Sequence, residues 1–112
     1  MGDNAWRVFH LPTLAAEMAD SVGYKEFLRV PTLSCGVYKL AAGSKDMQGP
    51  HDEDEVYYVV SGRARMQVEG EERRVEPGMV LYVSASAEHS FFEIDEDMTL
   101  LVVFSANGAA KP

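Results

Sequence analysis

The chain has little of three things: thiols, positive charge and long apolar runs. Its single cysteine, Cys35, excludes an internal disulfide and indicates a reducing compartment. Ten basic residues stand against 18 acidic ones, a net charge of -8, which argues against nucleic acid or a membrane as the partner. No apolar run reaches the roughly 18 residues of a membrane-spanning helix, and residues 1–10 lack a signal-peptide pattern. We therefore expect a cytoplasmic protein.

Apolar and strand-forming residues are abundant instead. Hydrophobic residues make up 46% of the 112 positions, which is enough to bury the core of one domain. Helix propensity is convincing only over residues 14–20, with Thr13 as the predicted N-cap and Gly23 at the end of the region. Residues 5–11 are suited to a short edge strand, or to an arm that packs on another surface.

From residue 24 onwards, short β-forming runs alternate with turn residues such as Glu69 and Gly70. In the run before that turn, Ala64, Met66 and Val68 are predicted to face the core because side chains alternate along a strand. This rhythm predicts an antiparallel sandwich or barrel. The predicted strands are residues 24–30, 33–41, 55–60, 63–69, 73–75, 79–83, 89–94 and 98–104.

Three residues, His51, Glu55 and His89, carry side chains that transition metals prefer. Imidazole nitrogen and carboxylate oxygen suit Fe, Mn, Ni, Zn or Cu. A straight strand would separate His51 from Glu55 by about 13 Å, so residues 52–54 must bend if both bind one ion. Taken singly, His51 beside four acids is more simply a surface histidine, His89 a core or lining histidine, and residues 52–54 a solvated acidic run.

The spacing of His51 and Glu55 relative to nearby glycines gives these two residues a more specific interpretation. Gly43, His51, Glu55 and Gly62 occupy four of the five marked positions of the first cupin motif, G-x5-H-x-H-x3-E-x6-G. Gly49 stands where that motif has its first histidine. This stretch therefore resembles a cupin motif that lacks one metal-binding histidine.

A second stretch resembles the second cupin motif, G-x5-P-x-G-x2-H-x3-N. Gly78 and His89 match its glycine and histidine. Ser84, Ser86 and Glu93 replace its proline, second glycine and asparagine. The two stretches are separated by one hairpin, which is also typical of cupins.

The resemblance is to the small single-domain, RmlC-like cupins, and it covers roughly residues 33–104. It implies an all-β fold, a cupin jelly-roll β-barrel (double-stranded β-helix), with one short N-terminal helix. Residues 33–104 would form the barrel core, residues 1–32 an arm, helix and first strands that pack on it, and residues 105–112 a loose tail.

The resemblance also implies a divalent transition metal, Fe, Mn, Ni, Zn or Cu, inside the mouth of the barrel. Carried over by position, His51, Glu55 and His89 would be its ligands. Gln48 lies one residue before the vacant position and could supply an amide oxygen in place of the missing imidazole. Its alternative interpretation is a polar loop residue.

Alternation along the strands adds two candidate catalytic residues. If Glu55 points inward, Tyr57 lies on the same side of its strand and would orient a substrate or act as an acid. A buried tyrosine that only packs is the commoner case. The same alternation from His89 places Glu93 inward, where a carboxylate is costly unless it is paired or protonated.

These features predict an enzyme that acts on a small organic acid, phenol or enol, of dioxygenase, isomerase or lyase type. The alternatives are a non-catalytic small-molecule binding or sensing module, with or without metal, and a metal-free relic of the fold. Small cupins are usually homodimers, so we expect a homodimer, with the apolar arm at residues 6–11 adding a strand across its interface.

Overall fold

The computed structural model describes residues 5–19, 21–46 and 52–105. This part of the chain contains one α-helix and eight β-strands, and none of its helices is long and apolar enough to cross a membrane. The elements are α1 (Leu11–Glu17), β1 (Gly23–Val30), β2 (Leu33–Leu40), β3 (Glu55–Ser61), β4 (Ala64–Val68), β5 (Glu71–Val75), β6 (Val80–Val83), β7 (His89–Phe92) and β8 (Met98–Ser105). Each predicted strand from residue 24 onwards is confirmed to within two residues at either end.

The strands form two antiparallel sheets that enclose one core. The larger sheet has the order β1-β2-β8-β3-β6, and the smaller sheet has the order β5-β4-β7. Tyr57 and Leu100 of the larger sheet belong to the same buried cluster as Met66 and Phe91 of the smaller sheet. The structure therefore has the all-β, jelly-roll architecture that the sequence predicted.

Alternation along the strands decides which side chains enter the core. In β4, Ala64 and Met66 are buried whereas Gln67 is exposed, and in β8 the buried residues are Met98, Leu100 and Val102. The predicted inward face of β4 is thus confirmed, with Val68 partly buried against the same cluster.

The N-terminal segment differs from the prediction at its start. Helix α1 begins at Leu11, with His10 as the N-cap and Pro12 in its first turn, so Thr13 lies inside the helix rather than capping it. Pro12 favours this start because a proline in the first turn needs no hydrogen-bond partner for its nitrogen. Residues 5–10 form no strand, and the edge-strand prediction is wrong there.

The helix is fastened to the larger sheet through β2 and β1. Lys39 of β2 donates hydrogen bonds from Nζ to the backbone oxygens of Ala15 (3.2 Å) and Ala19 (2.8 Å) at the carboxyl end of α1. A cation is favourable at that end because the last carbonyls of a helix lack partners within it. Phe9 packs against Phe27, with ring centroids 4.8 Å apart.

Candidate functional site

The two predicted ligands that the structure describes, Glu55 and His89, come from opposite sheets and meet inside the barrel. Glu55 opens β3 and His89 opens β7, and each side chain is only 2% exposed. His89 Nε2 lies 3.2 Å from Glu55 Oε1. The fold thus brings together two residues that are 34 positions apart in the sequence (89 minus 55).

A backbone carbonyl fixes the protonation pattern of His89. Nδ1 lies 2.9 Å from the oxygen of Ala87, and since a carbonyl only accepts, Nδ1 must carry the hydrogen. In a neutral imidazole, Nε2 then presents a lone pair to the carboxylate of Glu55. Two acceptors face one another in this arrangement unless a proton or a metal ion lies between them.

Proton binding at this nitrogen is favoured by its surroundings. The Glu55 carboxylate raises the pKa of His89 above its ordinary value, against the opposing effect of burial, and the backbone oxygen of Ala87 adds to the rise. The approach of the two groups lacks the alignment of a hydrogen bond: both carboxylate oxygens of Glu55 are buried without such a bond to any described residue. A buried carboxylate is costly unless a positive charge lies beside it, so this corner of the barrel favours a proton on His89 or a bound cation.

The geometry of the pair fits a divalent transition metal. Two ligands that each lie about 2.1 Å from one ion, at an angle between about 90° and 110°, are about 3.0–3.4 Å apart. The 3.2 Å between His89 Nε2 and Glu55 Oε1 falls in this range. Within residues 5–19, 21–46 and 52–105, no group of three or more His, Cys, Asp and Glu side chains is arranged to hold a metal. His51 and Gln48, the other predicted ligands, lie outside the described residues.

Tyr57 is fully buried beside this pair. Its ring stands edge-on to His89 (centroids 6.2 Å apart) and to Phe91 (5.1 Å apart). Desolvation by burial, followed by the charge of Glu55, raises the pKa of Tyr57 well above its ordinary value. Its hydroxyl has no hydrogen-bond partner among the described residues. Tyr57 is therefore a protonated phenol that can donate a hydrogen bond into the site.

Glu93, the other predicted catalytic residue, does not point inward. Strand β7 ends at Phe92, and Glu93 follows it as an exposed residue with a left-handed backbone (φ 47°). The side-chain alternation counted from His89 therefore stops one residue too early to reach it. The prediction of an inward-facing Glu93 is wrong, because the strand is shorter than its apolar residues suggest.

Asp46 is a buried carboxylate near the site that sequence reasoning missed. It accepts hydrogen bonds from the hydroxyl of Tyr38 (2.6 Å) and the N–H of Phe91 (3.1 Å), and its own N–H donates to the oxygen of Phe91 (3.2 Å). These bonds fasten the end of the loop after β2 to β7, two residues beyond His89. An aspartate in a polar loop gives no sign of this role in the sequence, because its partners are distant along the chain.

The acidic run before β3 is also less uniform than predicted. Asp52 is exposed, in agreement with a solvated acid, but Asp54 is partly buried. Asp54 Oδ1 accepts hydrogen bonds from the N–H of Ala85 (2.9 Å) and the hydroxyl of Tyr82 (3.2 Å). Asp54 therefore joins the start of β3 to the loop that leads to His89, and its assignment to solvent alone is wrong.

Comparison with known proteins agrees with this architecture. An uncharacterized protein of Streptomyces coelicolor, SCO3923, is 49% identical over 100 residues, covering 88% of this chain and 95% of that protein. TT1209 from Thermus thermophilus has a similar structure, with a TM-score of 0.75, 26% identity, and coverage of 88% of this chain and 96% of that one. A structure of the DMSP lyases RdDddP and RnDddQII gives a TM-score of 0.63 at 26% identity, over 71% of this chain and 42% of that one.

The family itself follows from the central part of the sequence. Residues 36–104 match the cupin domain family, and this span contains both motifs and the strands that carry Glu55 and His89. The chain belongs to the cupin domain family.

Proposed function

We propose that this chain is a metal-dependent enzyme that acts on a small organic acid, phenol or enol. The observation that supports the proposal is the buried pair of Glu55 and His89. Their facing acceptor atoms lie 3.2 Å apart, and the Glu55 carboxylate has no hydrogen bond from a described residue. A cation between the two acceptor atoms stabilises such a pair, and an imidazole with a carboxylate is a donor set that catalytic transition metals use.

Under this proposal the metal, Fe, Mn, Ni, Zn or Cu, is held by His89 through Nε2 and by the carboxylate of Glu55. His51 is the proposed third ligand and Gln48 an additional one. A bound ion of this kind supplies Lewis-acid polarisation of a substrate carbonyl or enolate. The hydrogen bond from His89 Nδ1 to Ala87 keeps Nε2 directed at the ion, as in many histidine–metal sites.

Tyr57 has a separate role in the proposal. Its raised pKa keeps the proton on the hydroxyl, so the residue donates a hydrogen bond to a substrate oxygen and keeps its proton there. The buried side chains around it, Val59, Phe91 and Val102, exclude water from this end of the barrel. A fixed hydrogen-bond donor that stabilises an enolate oxygen suits isomerase or lyase chemistry, and the similarity to DMSP lyases supports the lyase type within this group.

The first test is metal binding by the full chain and by an isosteric variant. We expect the chelator-stripped protein to regain one divalent ion per chain, measured by elemental analysis and calorimetric titration. Glu55→Gln keeps the shape of the side chain but removes its charge, so affinity should fall by at least tenfold. Glu93→Gln is the matched control, since it removes an exposed charge, and it should bind as the parent does. Equal affinity in all three proteins would contradict the proposed site.

The second test is turnover by the metal-loaded chain on a panel of small acids, phenols and enols. Tyr57→Phe should retain the metal but lose about 10²-fold or more in rate, because it removes only the hydrogen-bond donor to the substrate oxygen. A metal-loaded parent that binds panel members and turns none of them over would contradict the enzyme. That result would favour the non-catalytic binding module.

A further inference from the structure

A cavity of about 530 Å³ opens between β5 and β6. These two strands are the terminal strands of their sheets, so the barrel wall has no backbone hydrogen bonds between them in the described topology. The volume lies within the range of about 300–1,000 Å³ that is usual for small-molecule sites.

The wall of the cavity adjoins Glu55 and His89, although neither residue lines the cavity itself. Val83, in its wall, is the cross-strand partner of Glu55 between β3 and β6. Val68, on the opposite wall, is the cross-strand partner of His89 between β4 and β7. Directly paired residues in antiparallel strands lie about 4.5–5.5 Å apart at Cα, so the wall of the cavity lies one strand spacing from the pair.

The inner wall of the cavity is aliphatic. Met66 and Val75 are buried in the small sheet, and Met79 and Leu81 line the opposite side. These side chains offer no hydrogen-bonding group except weakly accepting thioether sulfurs, and methionine adapts its shape to what it contacts. The wall therefore suits the apolar body of a ligand.

Among the described residues that line the cavity, one is a cation and lies at the rim. Arg73 lines the cavity from β5 and pairs with Glu71 at 3.0 Å, with the two side chains 74% and 69% exposed. An ion pair this exposed contributes little to stability, so a ligand carboxylate can replace Glu71 as the partner of Arg73 at small cost. Glu69, another acid at the rim, already accepts a hydrogen bond from the N–H of Glu88 at 2.6 Å.

We propose that the cavity between β5 and β6 is the substrate site, and that it takes a small monocarboxylate with an apolar body. The apolar part lies along Met66, Val75 and Leu81, and the carboxylate binds Arg73. That the ligand is a substrate rests on the proposed function. Its binding to the cavity does not, because Arg73 and the aliphatic wall act without a metal.

Methionine methyl groups report on this site directly. The chain has six methionines, of which Met66 and Met79 line the cavity, while Met18 and Met98 are buried elsewhere. We would label the methyl groups with ¹³C and titrate the full, metal-free chain with hexanoate and, separately, with hexanol. The signals of Met66 and Met79 should move with both ligands and those of Met18 and Met98 should stay, with hexanoate binding the more tightly.

Two neighbouring arginines provide the matched variants. Arg73→Gln should weaken the binding of hexanoate about two- to fivefold, the range expected for an exposed ion pair, and leave the affinity for hexanol unchanged. Arg74→Gln removes an equal charge from the next residue of β5, which does not line the cavity, and should leave both affinities unchanged. Equal losses in the two variants, or stationary Met66 and Met79 signals, would overturn the inference.

The same titration on Glu55→Gln separates this inference from the proposed function. We expect that variant to bind the metal weakly and to bind hexanoate as the parent does. Loss of hexanoate affinity in Glu55→Gln as large as in Arg73→Gln would also overturn the inference, since Glu55 would then be part of the carboxylate site. Failure of metal binding or turnover, with hexanoate still in the cavity, would count against the enzyme alone.

Discussion

At the scale of single residues, the site depends on where hydrogens and charges lie. The Ala87 carbonyl holds a hydrogen on Nδ1 of His89, and the Glu55 carboxylate favours a second proton on Nε2. That second proton and a metal ion compete for the same lone pair. The strength of metal binding is therefore linked to pH through one buried imidazole.

The first prediction concerns this competition. Because the pKa of His89 is raised in the metal-free protein, its proton should compete with metal up to a pH above the usual histidine range. Affinity should be constant above the raised pKa and fall by about tenfold for each pH unit below it. Calorimetric titration with Zn²⁺ between pH 5.5 and 8.5 measures the profile. If affinity stays constant down to pH 6.5, the ordinary histidine value, and falls only below it, the raised pKa is contradicted.

The same shift has a consequence for the metal-free chain itself. A histidine with a raised folded-state pKa stabilises the fold fully below its unfolded pKa, and this stabilisation is lost as pH rises through the folded value. In the metal-free protein, the free energy of unfolding should therefore decline as pH rises above about 6.5. Denaturant unfolding of the parent and of Glu55→Gln measures the effect, which should be smaller in the variant. If the free energy of unfolding of the parent instead increases with pH above about 6.5, the predicted direction is wrong.

At the scale of elements, prediction from sequence succeeded where strands are regular. The inward positions of Glu55, Tyr57 and Val59 follow from alternation along β3, and the structure buries all three. Prediction from sequence failed at Glu93, which lies just past the end of β7, because a strand end cannot be located from apolar residues alone. Asp46 was beyond sequence reasoning, since its burial depends on partners in β2 and β7 that only the folded chain brings near.

Gly62 shows what a motif position means physically. It follows β3 with φ +93°, and a Cβ on it would collide with the backbone of Asp97 and Met98. The spacing of the motif identifies this glycine, but the close approach of the chain before β8 is a property of the folded barrel. Glycine is therefore required at position 62 for two separate reasons: the backbone has a positive φ, and there is no room for a Cβ.

Alanine substitution separates the two requirements. Gly70→Ala meets only the backbone requirement, because φ is +84° and no atom lies within 4 Å of a new Cβ, and it should cost about 1–2 kcal/mol. Gly62→Ala adds the collision and should cost about 3–5 kcal/mol of the free energy of unfolding. Denaturant unfolding of the two variants and the parent gives both values. Equal losses of unfolding free energy in the two variants would show that the backbone near Asp97 moves away from the new Cβ at no cost.

At the scale of the whole molecule, the outer face of the larger sheet carries an apolar surface. Tyr58 and Val80 are cross-strand partners in β3 and β6 and are 40% and 66% exposed, and Tyr82 beside them is 64% exposed. Trp6 and Val8 of the N-terminal arm are exposed as well. The exposed aromatic and aliphatic side chains support the homodimer that we proposed from the sequence, because they need a covering surface. Val80 and Tyr82 also line the cavity between β5 and β6, so the second copy in this proposal borders the mouth of the cavity.

We predict that the chain sediments at twice its 12.4 kDa mass. Val80→Glu places a charge in the middle of the apolar surface and should yield the monomer. Val22→Glu is the matched control, since Val22 is similarly exposed (62%) in the connection before β1, and it should remain dimeric. Sedimentation equilibrium distinguishes the species. A monomeric parent, or two variants that behave alike, would contradict this interface.

Within the described residues, β6 is the last strand of its sheet, and this edge bears on how the protein behaves in storage. Its four residues, Val80–Val83, carry no charge and no proline, the features by which edge strands usually resist stacking on one another. Mutual repulsion between copies must then come from the acidic excess elsewhere, a net charge of -8 at pH 7. That repulsion vanishes near the isoelectric point of about 4.7, so the protein should be least soluble in buffers near that pH, where nothing else keeps β6 edges of different copies apart.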